Sequence, residues 1–181
     1  MNFNAHALAG DDPNPMSHVE VDELKRLVSK ENLMFIDPII INIGAERGTS
    51  TLAMLEERPD AYIFSIDIDA RPGEIANVRR AGLDARRVVR ILCRSQEVGE
   101  LWPFWVSFVW VDGDHSYDGI KGDIESWWPR VRPGGIIALH DYFEGEPPAN
   151  NPSGAGQVVR ELMIGNYELI SEIERIRAFR K

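Results

Sequence analysis

Two short stretches concentrate the residues able to do chemistry. One runs Val111-Asp112-Gly113-Asp114-His115-Ser116-Tyr117, the other Leu139-His140-Asp141-Tyr142. Each follows an apolar run, Phe108-Val109-Trp110-Val111 or Ile136-Ile137-Ala138-Leu139, of the kind that forms a strand covered on both faces. Acids and histidines desolvated at the ends of such strands are costly unless a cation or a substrate compensates them. On adjacent parallel strands Asp112 and Asp141 would stand about 5 Å apart. Carboxylates that close repel each other, and Mg²⁺ typically binds through one or two of them plus waters and substrate oxygens. His115 comes three residues after Asp112, and a helical turn starting there puts both on one face. Its imidazole titrates near neutral pH, which suits general-base work. Taken singly, each acid reads as a helix cap and each histidine as a satisfied polar residue. The set, repeated on two strands, reads as a site.

The elements that must position these residues follow from hydrophobic periodicity. Strands are expected at 39–43, 61–66, 87–92, 107–111 and 135–139, and helices at 18–30, 50–57, 73–81, 96–101 and 120–128. The strands are near-continuous apolar runs alternating with helices, which predicts an α/β fold with a doubly wound, mostly parallel sheet. A further helix at 158–164 precedes two short strand-like pieces, 167–171 and 175–179, whose tight link predicts a C-terminal antiparallel hairpin at one edge. Residues 1–17 are polar and broken by Pro13 and Pro15, so they read as a flexible arm ahead of a single domain over 18–181. The segment 143–156, rich in Pro, Gly and Asn, follows the fifth strand directly and reads as a lid or binding loop.

In open α/β sheets, ligands bind beyond the carboxyl ends of the strands, where the strand order reverses. The first strand runs into Gly44-Ala45-Glu46-Arg47-Gly48-Thr49-Ser50 and then a helix. Glycines there let the backbone approach a ligand, and the helix start offers unpaired N–H groups. Any strand-to-helix turn can use two glycines, so the second strand matters. It ends at Asp67, roughly twenty residues on, the spacing at which an acid grips ribose hydroxyls.

With Ile41-Asn42-Ile43 ahead of it, that glycine turn resembles the first motif of the class I S-adenosylmethionine-dependent methyltransferases. Within the class the chain looks like the small-molecule O-methyltransferases of the catechol and macrocin types, from Ile39 through the closing hairpin. The pattern Trp127-Trp128-Pro129-Arg130-Val131-Arg132-Pro133-Gly134-Gly135 before the fifth strand is common in the class as well. The resemblance implies a Rossmann-like methyltransferase fold. It also implies S-adenosylmethionine held by Gly44, Ala45, Glu46, Gly48, Thr49, Ser50, Asp67, Ser95, Gln96 and Asp112. Ser95 and Gln96 match a Ser-Gln pair near the adenine ring. Asp112 and Asp141 match the acids that hold a divalent metal, Mg²⁺ in expectation, and His115 matches the position of the catalytic base. The catechol type follows its second acid with Asn, whereas this chain has Tyr142. The third ligand is therefore open between His140, Asp114 and water, and so is the presence of the metal.

Composition narrows the partners. A formal charge of −9 over 181 residues argues against a phosphate-backbone binder. No stretch is long and apolar enough to span a membrane, and the single Cys93 suits a reducing compartment, so the expectation is a cytoplasmic enzyme acting on a small-molecule hydroxyl. A sugar hydroxyl, a catechol or another small polar oxygen nucleophile all fit, and a nitrogen acceptor and a homo-oligomer are left open. Two rivals remain. Gly44-x-x-x-Gly48 with Tyr117-x-x-x-Lys121 mimics a short-chain NAD(P) dehydrogenase, although Ser50 stands where that loop needs its third glycine. The other rival is a module that binds the cofactor without catalysis.

Overall fold

The alternation of apolar runs and helical patterns becomes a seven-stranded sheet with helices on both faces. The computed structural model describes residues 3–9, 15–70, 73–149 and 152–181. The strands are β1 (Ile39–Ile43), β2 (Tyr62–Asp67), β3 (Val88–Leu92), β4 (Val106–Val111), β5 (Val131–Leu139), β6 (Glu168–Ile173) and β7 (Ile176–Arg180). They lie in the order β3-β2-β1-β4-β5-β7-β6. The first five run parallel, while β7 is antiparallel to both β5 and β6. The order reverses between β1 and β4, which places the ligand crevice of such sheets at the ends of those two strands.

Period-two alternation sends neighbouring side chains to opposite faces. Ile40 and Phe108 join a core with Val21, Leu24, Leu52 and Met54. Ile41 and Val109 join another with Ile120, Ile124, Trp127 and Val158. Helices α2 (His18–Val28) and α3 (Thr49–Glu57) therefore cover one face, and α6 (Tyr117–Trp127) with α7 (Ala155–Val158) the other. Burying both faces explains why the strands read as unbroken apolar runs.

Boundaries differ from expectation where caps decide them. Helix α6 starts three residues early because the Ser116 hydroxyl accepts from the Gly119 N–H. The last helix is split, with α7 continuing into a π-helical stretch, Val159–Met163. Between these lie α4 (Glu74–Arg80) and α5 (Ser95–Leu101). Within the segment read as an arm, Ala5–Ala9 forms a short helix, α1, with Ala5 and Leu8 buried in the first core. Residues 10–14 of that segment lie outside the described residues, as do residues 150 and 151 of the 143–156 loop.

Candidate active site

The glycine turn and the end of β4 touch. Gly44 has φ +77°, and a Cβ there would lie 2.0 Å from the Asp112 carbonyl oxygen. Only glycine permits that approach, so the turn after β1 and the acid after β4 are set by one contact. Beside it, the Asp67 carboxylate accepts from the Glu46 N–H (3.1 Å) with one oxygen and from the Asp69 N–H (2.9 Å) with the other. The acid at the end of β2 thereby shapes the glycine turn as well as facing the crevice.

Two adjoining depressions share Gly44, Glu46, Asp112, Gly113 and His115. The larger is a cleft lined also by Asp67, Asp69, Ser95, Gln96 and Pro152. The smaller, about 280 Å³, is lined by Met16, Ala45, Arg47, Thr49, Ser50, His140 and Asp141. Of the expected cofactor set, all but Gly48 line these two depressions; Gly48 packs against Glu74. Some are committed to the protein: the Ser50 hydroxyl donates to Asn42 Oδ1 (3.1 Å), and Gln96 Nε2 donates to the Gly119 carbonyl (3.2 Å). Ser95 donates to Asp123, a buried acid on α6 that sequence reasoning passed over. Burial lifts the Asp123 carboxyl to about 7 against the opposing bond from Ser95, with the charge of Asp114 adding to the rise.

The chemical end is a tight cluster. His115 Nε2 lies 3.5 Å from Asp112 Oδ1, and its Nδ1 lies 3.3 Å from Asp141 Oδ2. Asp112, His115 and Asp141 can each offer one ligand atom, all within 4.8 Å of one another. Asp141 is held at φ +53°, an unusual conformation for a non-glycine residue, and it is almost fully buried. Hydrogen bonding to Asp112, helped by the charges of Asp112 and Asp141, raises the His115 imidazole above its ordinary pKa against the effect of burial. Asp112 itself would be raised by burial, but the charge of His140 and bonds from both histidines hold it below the usual carboxylate range.

His140 and Asp114, both weighed as third ligands, line the crevice and are bonded within the protein. The buried His140 ring donates from Nδ1 to Asp112 Oδ1 (3.0 Å) and packs against Trp110. Its Nε2 sits 3.2 Å from Glu20 Oε1, without the alignment of a hydrogen bond. Asp114 accepts from the Ser116 N–H (2.9 Å) at the start of α6. Tyr142 is buried under the Arg177 guanidinium, 3.9 Å from the ring centre, and so does not join the cluster.

Two members were not foreseen. Glu20 of α2 is fully buried and binds Arg175, which lies in the turn between β6 and β7. Arg175 Nη1 also donates to Asp141 Oδ1 (2.9 Å). The pattern Ser17-x-x-Glu20 is a capping box, and the box is present, so a local role hid the second one. For Arg175 a signal did exist: a strand antiparallel to β5 must begin where β5 ends, which brings its preceding turn to the ligand edge.

A doubly wound sheet with a glycine turn at its switch point and an acid at the end of the second strand suits a nucleoside-type ligand, and the family match gives the class as a methyltransferase. Residues 41–142 match the model of a methyltransferase-domain family, and the chain belongs to that family. Among solved structures, a Corynebacterium glutamicum protein superposes with TM-score 0.77 at 20% identity, over 98% of this chain and 89% of that one. The O-methyltransferase TomG from Streptomyces achromogenes, involved in tomaymycin synthesis and solved with SAM, gives TM-score 0.73 at 18% identity, over 97% and 85%. A protein of Acanthamoeba polyphaga mimivirus is 20% identical over 156 residues, 81% of this chain and 68% of its own length. The dehydrogenase rival falls with the family match, and the Tyr117 hydroxyl is spent on Glu161 (2.6 Å). No helix among the described residues is long and apolar enough to cross a membrane.

Proposed function

We propose that the chain transfers the methyl group of S-adenosylmethionine to a hydroxyl of a small molecule, with His115 as general base. The observation that carries this reading is the convergence of Asp112, His115 and Asp141 within 4.8 Å, beside the glycine turn that contacts Asp112. The larger cleft, running from Asp67 to Gln96, has the acid and polar side chains a nucleoside needs, and the smaller depression has room for an acceptor. Gly44, Glu46 and Asp67 bind the cofactor along the larger cleft, Ala45, Thr49 and Ser50 reach it from the adjoining depression, and the shared wall at Gly44 and Gly113 sets cofactor and acceptor side by side. Methyl transfer is an in-line displacement, so the chain's main contribution is to hold oxygen and methyl carbon in line. His115, anchored between two carboxylates, takes the acceptor's proton, and Asp112 and Asp141 stabilise the imidazolium that results.

The carboxylates of Asp112 and Asp141, whose oxygens lie within 4.8 Å of one another, fit a divalent cation and would hold it, with His115 beside them kept as the base. Such a cation supplies Lewis-acid chemistry, lowering the pKa of a bound hydroxyl. TomG, whose fold this chain shares, is an O-methyltransferase solved with SAM, which supports both the cofactor and the oxygen nucleophile.

The test begins with binding: S-adenosylmethionine should raise the melting temperature and NADH should not. A panel of sugars, catechols and other small hydroxyl compounds, followed by mass spectrometry, should then yield a methylated product. Cofactor binding with no transfer to any acceptor would return the chain to a binding module.

A further inference from the structure

Arg175 touches the acid that the proposed metal site needs. Its guanidinium is locked on three sides: Nε and Nη2 donate to Glu20 Oε1 (2.9 Å) and Oε2 (2.6 Å), and Nη2 donates to the Pro15 carbonyl (3.1 Å). Nη1 is thereby aimed at Asp141 Oδ1, 2.9 Å away. Glu20 and Asp141 are both almost fully buried, so these charge-assisted bonds lie largely out of water. A guanidinium keeps its charge at any working pH. Asp141 therefore faces the site with one oxygen already bonded to a permanent cation and only Oδ2 turned toward His115.

We propose that Arg175 is a resident counter-cation of the chemical site, beside His140, whose Nδ1 lies 3.5 Å from the same Asp141 oxygen, and that it holds Asp141 in place and competes with a divalent cation for that carboxylate. It is a positioning residue: it acts on the acceptor and the metal through Asp141. The competition is electrostatic. A guanidinium and a divalent ion sharing one carboxylate repel each other, and the repulsion grows as their separation and the local dielectric constant fall. The inference rests on the divalent-cation part of the proposed function, and its test can fail separately from that reading.

The experiment is a Mn²⁺ titration of the chelator-treated full chain, read by the electron paramagnetic resonance of free Mn²⁺. Wild type is compared with Arg175→Gln, which removes the charge, and Arg175→Lys, which keeps it. Arg175→Gln should bind Mn²⁺ at least about tenfold more tightly, the effect of removing one charge ~5 Å from a divalent ion even at the dielectric constant of water. Arg175→Lys should stay close to wild type, which a merely structural role for the guanidinium would not predict. Because Arg175→Gln leaves buried Glu20 without its guanidinium partner and with only His140 close by as a cation, Glu20→Gln/Arg175→Gln compared with Glu20→Gln provides the same contrast in a background without that charge. Equal or weaker binding by the charge-removed variants overturns the role of Arg175 while leaving the metal reading intact. Binding by Arg175→Gln but not by wild type supports the role and removes the metal from the native enzyme. If neither binds, both readings fail.

Discussion

His115 and Asp141 meet across the ends of two strands: the imidazole Nδ1 lies 3.3 Å from a carboxylate oxygen of a residue with φ +53°. The same ring reaches Asp112 with its other nitrogen, at 3.5 Å. One imidazole thus bridges β4 and β5, and strain in the Asp141 backbone is tolerated where it serves that bridge.

His115→Ala should keep the melting temperature and the affinity for S-adenosylmethionine, because the side chain is one-third exposed and stands where the two depressions adjoin, outside the glycine turn and Asp67. Turnover should fall by roughly 10²–10⁴, the usual share of general acid–base catalysis. A variant that methylates at wild-type speed would return His115 to a structural role.

Removal of divalent cations should abolish turnover, and added Mg²⁺ should restore it. The expectation rests on the donor set of Asp112, His115 and Asp141. Full rate in the chelated enzyme, measured with the metal content checked by elemental analysis, would show that Arg175 and the histidines suffice.

Asp67→Ala should weaken S-adenosylmethionine binding by more than about tenfold, or about 1.4 kcal/mol, as expected for losing hydrogen bonds to a charged group. Its carboxylate also accepts from Glu46 and Asp69, so the melting temperature should be measured alongside. Unchanged affinity in a calorimetric titration would remove Asp67 from the cofactor site.

Asp123 makes stability depend on pH. Its folded pKa, about 7, lies above the ordinary carboxyl value of 3.8 because burial favours the neutral acid. The folded state then holds a proton that the unfolded state releases, so this contribution is full below about 4. It is lost as pH rises toward about 7, and its upper size is a few kcal/mol. Asp123→Asn, which can still accept from Ser95, should therefore gain on wild type across that window and run parallel to it above. Parallel melting curves from pH 4 to 8 would assign Asp123 an ordinary pKa.

Much of this site was legible in the chain because its parts are local. An apolar run covered on both faces looks the same wherever it occurs, and the residue after it must lie at the strand's carboxyl end. Asp112 directly follows β4, Asp67 closes β2 and Asp141 stands two residues past β5, so all three come at the carboxyl ends, and Gly44 follows from the sharp turn the next helix needs. Tertiary structure decided which side chains turn inward. The ring of His140, read as a metal ligand, lies between Asp112 and Glu20, and Asp114 accepts at the start of α6; neither partner could be told from the chain. Glu20 and Arg175 stand 155 residues apart and meet because β7 inserts antiparallel beside β5, carrying its turn to the edge where α2 begins. No periodicity encodes that meeting. It exists because an acid buried at a helix start must find a cation, and the hairpin brings it one.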